Sequence, residues 1–139
     1  MQTVERFITA VHRQVVWQII ADVQRWPSWT STVVEIKPLD NTGLRVGARY
    51  RVTQPRLCPV VYEVTECTPD EAFTWIQRVP GGMMIASHRL LPHKGGTAVE
   101  LPFSSEGLFA HIVSMALSRL IREYVATEAG CLKRRCELM

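Results

Sequence analysis

The chain has 139 residues, a length that fits one domain with its own core and no need of a disulfide or metal staple. Hydrophobic residues make up 47% and charged residues 21%, which excludes a disordered chain, and a net charge of +3 is too mild to mark a nucleic-acid binder. No apolar run approaches the roughly 18–20 residues that span a bilayer, and the longest, 15–21, is interrupted by Gln18.

Residues 3–9 are rich in β-branched and aromatic side chains and read as a strand. A helix follows over about 13–21, with Val15, Val16, Ile19 and Ile20 as its apolar face. Pro27 prevents one continuous helix from running on to Trp29, so a second short helix is expected to end near Trp26. Residues 32–39 read as the next strand, with Val34 and Ile36 alternating against Glu35 and Lys37, and 40–43 carry turn chemistry.

Strands then come in quick succession. Residues 48–54 alternate Tyr50 and Val52 against Arg49, Arg51 and Thr53, and Pro55 and Pro59 bracket a loop. Further strands are expected at 60–67 (Tyr62 and Val64 on one face), 72–79 (Phe73 and Trp75 on one face), 83–91 and 97–104. Turns at 69–70, 80–82 and 92–96 separate them. Short strands with no helix between them make an antiparallel sheet. From Leu108 to about Cys136 the period is helical. Phe109, Ile112, Val113, Ala116, Leu117, Leu120, Ile121, Tyr124, Val125 and Leu132 form a broad stripe. One helix of roughly 43 Å is expected, lying across the sheet. Gly130 within it should cost about 1 kcal/mol relative to Ala, and either a bend or a close backbone approach would account for it. The fold class is therefore α+β: a curved antiparallel sheet of about seven strands, two short helices after the first strand, and one long C-terminal helix.

The order of elements and several short motifs resemble the START-like superfamily (SRPBCC, the Bet v 1-like helix-grip fold), and within it the polyketide cyclase/dehydrase group. The echoes are Val16-Trp17 with Asp22, Trp26-Pro27-Ser28-Trp29, and Gly47 ahead of Arg49-Tyr50-Arg51-Val52 and Gln54-Pro55. Phe73-Thr74-Trp75, His88-Arg89-Leu90 and Gly95-Gly96-Thr97 follow. Gly107 precedes the final helix, and Glu128-Ala129, Leu132-Lys133 and Glu137 close it. The resemblance spans the whole chain. It implies one domain, residues 1–139, with a cavity between sheet and long helix that takes a small hydrophobic molecule: lipid-, aromatic- or polyketide-like. Two other roles stay open, a polyketide cyclase/dehydratase-type enzyme and a non-catalytic interaction protein like the chaperone-activator branch.

The residues expected to line such a cavity are Tyr50, Val52, Tyr62, Val64, Phe73, Trp75, Gln77 and His88 from the sheet, with Phe109, Val113 and Leu117 from the helix. Taken singly, each aromatic residue could equally fill a core. His88, Tyr50 and Tyr62 are the candidates for moving protons. The register around His88 is open, because Leu90 and Leu91 cannot both face inward. No acid on an apolar face pairs with His88 by spacing, which favours binding over chemistry. Trp26, Pro27 and Trp29 suggest a gate over the cavity mouth. The five bases between Glu35 and Cys58 suit either an anionic partner or a solvated outer face.

No phosphate loop, serine-hydrolase elbow or zinc-protease motif is present, and no cofactor is expected. The four histidines and four cysteines lack metal-ligand spacing, so no metal is expected either. With no CxxC and no secretory signal read at the start, the cysteines are expected to be reduced thiols in a cytoplasm. The expected partner is the small hydrophobic molecule alone, with no nucleic acid and no integral membrane segment, and the protein is expected to be a monomer or homodimer.

Overall fold

The structure, a computed structural model, describes residues 1–138. Its elements in chain order are β1 (Gln2–Thr9), α1 (Arg13–Ala21), a 3-10 helix (Val23–Ser28), β2 (Glu35–Pro38), β3 (Arg49–Thr53), β4 (Val60–Thr68), β5 (Ala72–Val79), β6 (Gly82–His93), β7 (Gly96–Glu106), α2 (Leu108–Ala116) and α3 (Ser118–Glu137). The seven strands form one antiparallel sheet in the order β1-β7-β6-β5-β4-β3-β2. Because β1 crosses to pair with β7, the two ends of the chain's sheet segment meet, with Phe7 opposite Val99. The sheet curves around the C-terminal helices in the α+β helix-grip arrangement.

Alternation decides the inner face. Tyr50 pairs with Tyr62, Val64 with Trp75, Phe73 with His88, and Leu90 with Val99. All of these point toward the helices and are buried. A bulge between Val64 and Glu66 shifts the phase of β4 by one residue, so Cys67 and not Glu66 lies opposite Phe73. Such an extra residue bends its strand and sharpens the twist, which helps the sheet wrap. The register around His88 is settled: Leu90 is buried and Leu91 is exposed.

The space between sheet and helices has two halves. One is closed. There α1 inserts Val16, Ile19 and Ile20, the end of α3 inserts Leu132 and Cys136, and Phe73, Val64, Leu90 and Val99 complete the packing. His12 caps α1, its Nδ1 accepting the Gln14 N–H at 3.3 Å. Thr9 Oγ1 donates to Glu137 Oε2 at 3.1 Å and ties the end of α3 to β1. The other half lies under α2 and the start of α3, and it is not filled.

Four sequence expectations are corrected. The second short helix runs to Ser28 through Pro27, because it is 3-10 and so short that the missing proline N–H removes little. β2 begins only at Glu35; within it Ile36 is buried against exposed Glu35 and Lys37 as expected, but just ahead of it Val33 is buried and Val34 is 59% exposed. The cause is local. Thr30 and Thr32 share a hydroxyl hydrogen bond at 2.9 Å, and the Thr32 N–H donates to Thr30 Oγ1, folding the chain just before the strand. β6 and β7 run further than expected, leaving only Lys94-Gly95 as their turn.

The fourth correction concerns the long helix, which is two helices. At Leu117 the backbone leaves the helical basin (φ −102°, ψ 12°). Gly130 sits in unbroken α3, exposed, with nothing within 4 Å of where a Cβ would stand, so neither a bend nor a close approach explains it. Gly107 does need to be glycine. Its φ is +93°, and a Cβ there would lie 2.3 Å from the Gly81 carbonyl oxygen.

Candidate functional site

The unfilled half is a cavity of about 270 Å³. That lies at the lower edge of the range for small-molecule sites. Its sheet wall carries Val52, Tyr62, Trp75, Gln77, Ala86, His88 and Leu101. Its helix wall carries Val113 and Leu117 from α2 and its junction with α3, then Leu120, Ile121, Tyr124, Val125 and Glu128. Spacings of three and four along α3 put these side chains on one face.

The rim lies between the β3–β4 loop and the α2–α3 junction, where Cys58 and Leu117 are exposed. That loop is fastened to α3. The Tyr124 hydroxyl donates to the Pro55 carbonyl, the Arg56 guanidinium meets Glu123 at 3.4 Å, and it lies 6.0 Å from the Tyr124 ring centroid.

Three polar groups converge on the mostly apolar interior. His88 Nε2 lies 3.6 Å from Glu128 Oε2, with both side chains largely buried. This is an ion-pair distance when the ring is charged, and it is too long for a hydrogen bond. The other ring nitrogen, Nδ1, lies 3.3 Å from the Phe73 carbonyl oxygen, so with its proton on Nδ1 the imidazole donates there. His88 also stacks on the Phe73 ring at 4.2 Å and 15°. Carbonyl and ring together hold its plane, leaving Nε2 directed at Glu128 and the cavity.

Tyr62 is the second group. Its hydroxyl opens on the cavity and is not among the fully enclosed polar atoms. Burial, and secondarily the negative charge of Glu128, push its pKa up to about 12. Gln77 is the third, half-buried at the end of β5. A ligand with one or two oxygen atoms would meet donors and an acceptor here that the protein leaves free.

The other candidates fall elsewhere. Tyr50, Val64 and Phe73 point inward as expected but do not line the cavity; Phe73 is covered by Trp17 of α1 at 6.3 Å and by Trp26 at 6.2 Å. Tyr50 packs on Trp75 at 6.0 Å and does not reach the cavity, and burial raises its pKa. Phe109 is 49% exposed on the outer side of α2. Each step of four residues advances a helix by about 40°, so Phe109, two such steps before Leu117, is rotated past the rim.

Trp26 is a buried wall of the cavity and not a flap at its mouth. Its indole N–H donates to the Ile20 carbonyl at 3.0 Å, and Trp29 packs behind it at 5.5 Å without lining the space. The basic segment lies on the outer face. Arg49 pairs with Asp40 at 3.3 Å, and its guanidinium and backbone N–H hold that carboxyl below the usual range. Lys37 stands opposite Arg51, both exposed.

Glu128 is the residue the sequence reading missed, and with it the acid beside His88. A signal was present. Glu128 lies three after Val125, four after Tyr124 and four before Leu132, a charged residue on an otherwise apolar stripe. None of the four cysteines is in a disulfide. Burial pushes the Cys136 thiol up to about 11 and raises Cys67 too, which keeps both protonated and unreactive. Among the described residues no three His, Cys, Asp or Glu side chains gather as metal ligands, and no helix is long and apolar enough to cross a membrane.

Comparison with known proteins agrees with this architecture. The family model described as "Polyketide cyclase / dehydrase and lipid transport" matches residues 1–137. No curated protein sequence matches the chain. Among solved structures, TTHA0849 from Thermus thermophilus superposes with a TM-score of 0.79 at 15% identity, covering 99% of this chain and 98% of that one. Ara h 8.0201 gives 0.68 at 11% identity, covering 95% and 97%. The di-domain ARO/CYC StfQ of the steffimycin biosynthetic pathway gives 0.74 at 10% identity, covering 98% of this chain and 50% of that one. At such identities the structures speak for the fold alone. The family match over nearly the whole chain says more: this protein belongs to the polyketide cyclase/dehydrase and lipid transport family of the START-like, helix-grip superfamily.

Proposed function

We propose that the protein binds one small hydrophobic molecule, aromatic or polyketide-like and bearing an oxygen function, in the cavity between β3–β7 and the C-terminal helices. The observation that carries this reading is the unfilled half of the interior, walled by Trp75, Val52, Leu101 and Ile121, into which Tyr62, Gln77 and His88 present polar tips. A volume of about 270 Å³ suits one or two rings or a short acyl chain and is too small to enclose a diacyl lipid. The test is titration with N-phenyl-1-naphthylamine, a neutral probe whose emission rises in apolar surroundings. Saturable one-to-one binding is expected, and Ala86→Phe, which fills the space between Tyr62 and Leu101, is expected to abolish it while the protein stays folded. Unchanged binding by that variant would place the probe elsewhere and end the cavity reading.

A second reading, a cyclase/dehydratase-type enzyme, is favoured by the His88–Glu128 pair. His88 is positioned to exchange a proton with a ligand, and Tyr62 to donate to a carbonyl oxygen as charge builds there. The cavity would supply orientation for a flexible chain. On this reading His88→Gln and Glu128→Gln each retain probe binding and lose turnover by about 10²-fold or more. Equal turnover by both variants returns the protein to the carrier role.

A further inference from the structure

The same helix that walls the cavity turns a second apolar face to solvent. On α2, Leu108 is 76% exposed, Ile112 56%, Met115 53% and Phe109 49%. With Ala116 they fall within an arc of roughly 120° at 100° per residue, while Ala110 and Ser114 on the opposite side are fully buried. Val113 and Leu117 lie between the two faces and line the cavity. Single exposed apolar residues are ordinary; four large ones side by side on one nine-residue helix are not.

Within the segment that carries the patch the charge has one sign. From Gly107 to Arg122 the sequence holds no acidic residue, and Arg119 and Arg122 follow the apolar face as exposed cations. The nearest acids stand at the two ends, Glu106 before the helix and Glu123 after it, and Glu123 is engaged by Arg56.

We propose that α2 is a docking element for a membrane surface bearing anionic lipid, lying in the interface with Leu108, Phe109, Ile112 and Met115 in the acyl boundary and Arg119 and Arg122 among the headgroups. An apolar helical face edged by arginines is the combination such a surface rewards. A second copy of this chain fits less well. The patch is far smaller than the roughly 20–30 residues a side of a stable dimer. Docked in this way, the cavity rim at Leu117 stands at the bilayer surface, where an apolar ligand is concentrated. The proposal does not rest on the cavity reading, because vesicle binding is measured without any ligand.

The test is co-sedimentation with vesicles of equal parts phosphatidylcholine and phosphatidylglycerol, against vesicles of phosphatidylcholine alone. The wild type is expected to bind the mixed vesicles, more weakly as salt rises. Ile112→Glu and, separately, Met115→Glu are expected to weaken this by at least about tenfold, and Arg119→Gln with Arg122→Gln by roughly 30-fold at low salt. None of these residues lines the cavity, so thermal unfolding and probe binding stay as in the wild type. No sedimentation with the mixed vesicles, or equal sedimentation of all variants, overturns the proposal. So does a dimer in sedimentation equilibrium that Ile112→Glu dissolves while vesicle binding persists.

Discussion

Tyr62 offers a quantitative test of the cavity's character. Its hydroxyl faces the cavity without a protein partner, and burial of the residue lifts its pKa to about 12 where an exposed tyrosine titrates near 10. The folded chain therefore holds a proton that the unfolded chain releases between these values. Stability from this group is fully present below about pH 10 and is lost as pH rises toward 12, because there the unfolded state binds fewer protons. Two pKa units correspond to on the order of 3 kcal/mol, roughly half of it gone by pH 11. Urea denaturation at pH 9 and pH 11, for the wild type and for Tyr62→Phe, isolates the contribution, since every other alkaline group is shared. The wild type is expected to lose more than the variant, by on the order of 1–2 kcal/mol. Difference absorbance at 295 nm should place the missing phenol's titration near 12, and Glu128→Gln should lower it by removing the adjacent charge. Identical losses for the two proteins, or a titration at the ordinary tyrosine value, would mean that the hydroxyl is freely solvated and the cavity wall does not shield it.

Two further outcomes concern the helices. Gly130 is exposed in mid-helix with free space at its Cβ position, so Gly130→Ala should stabilise the fold by up to about 1 kcal/mol, read as a rise in Tm; a fall would reveal a conformational need the helix does not show. Leu132 is 1% exposed at the centre of the closed half, so Leu132→Ala should cost about 2–5 kcal/mol in urea denaturation, and a cost below about 1 kcal/mol would contradict the packing described there.

The sheet was legible because its signals are local. Period-two alternation and turn residues place every strand except β2 within a few residues, and α1 appears as read from its apolar face. What escaped the reading depends on contacts that sequence spacing does not encode. Val33 and Val34 are alike by propensity, and the Thr30–Thr32 hydroxyl contact decides which of them faces inward. The break at Leu117 carries neither glycine nor proline, the residues by which a helix end is ordinarily read. Phe73 and Trp75 share one face of one strand, yet one is core and the other cavity wall, because α1 covers only the first. His88 and Glu128 are forty residues apart and meet only when α3 crosses the sheet. Glu128 was visible as a charge on an apolar stripe and His88 as a candidate proton carrier; their pairing was not.

The proposed place of a small apolar molecule is the space between Trp75 and Ile121. A crystal structure of the protein with 1-naphthol tests it most directly. The account predicts one naphthol per chain inside the cavity, its ring between Trp75 and Ile121 and its hydroxyl within hydrogen-bond distance of Tyr62, Gln77 or His88. Naphthol found only on the outer surface, with the space between sheet and helices closed by collapse of Ile121 and Leu101, would contradict it.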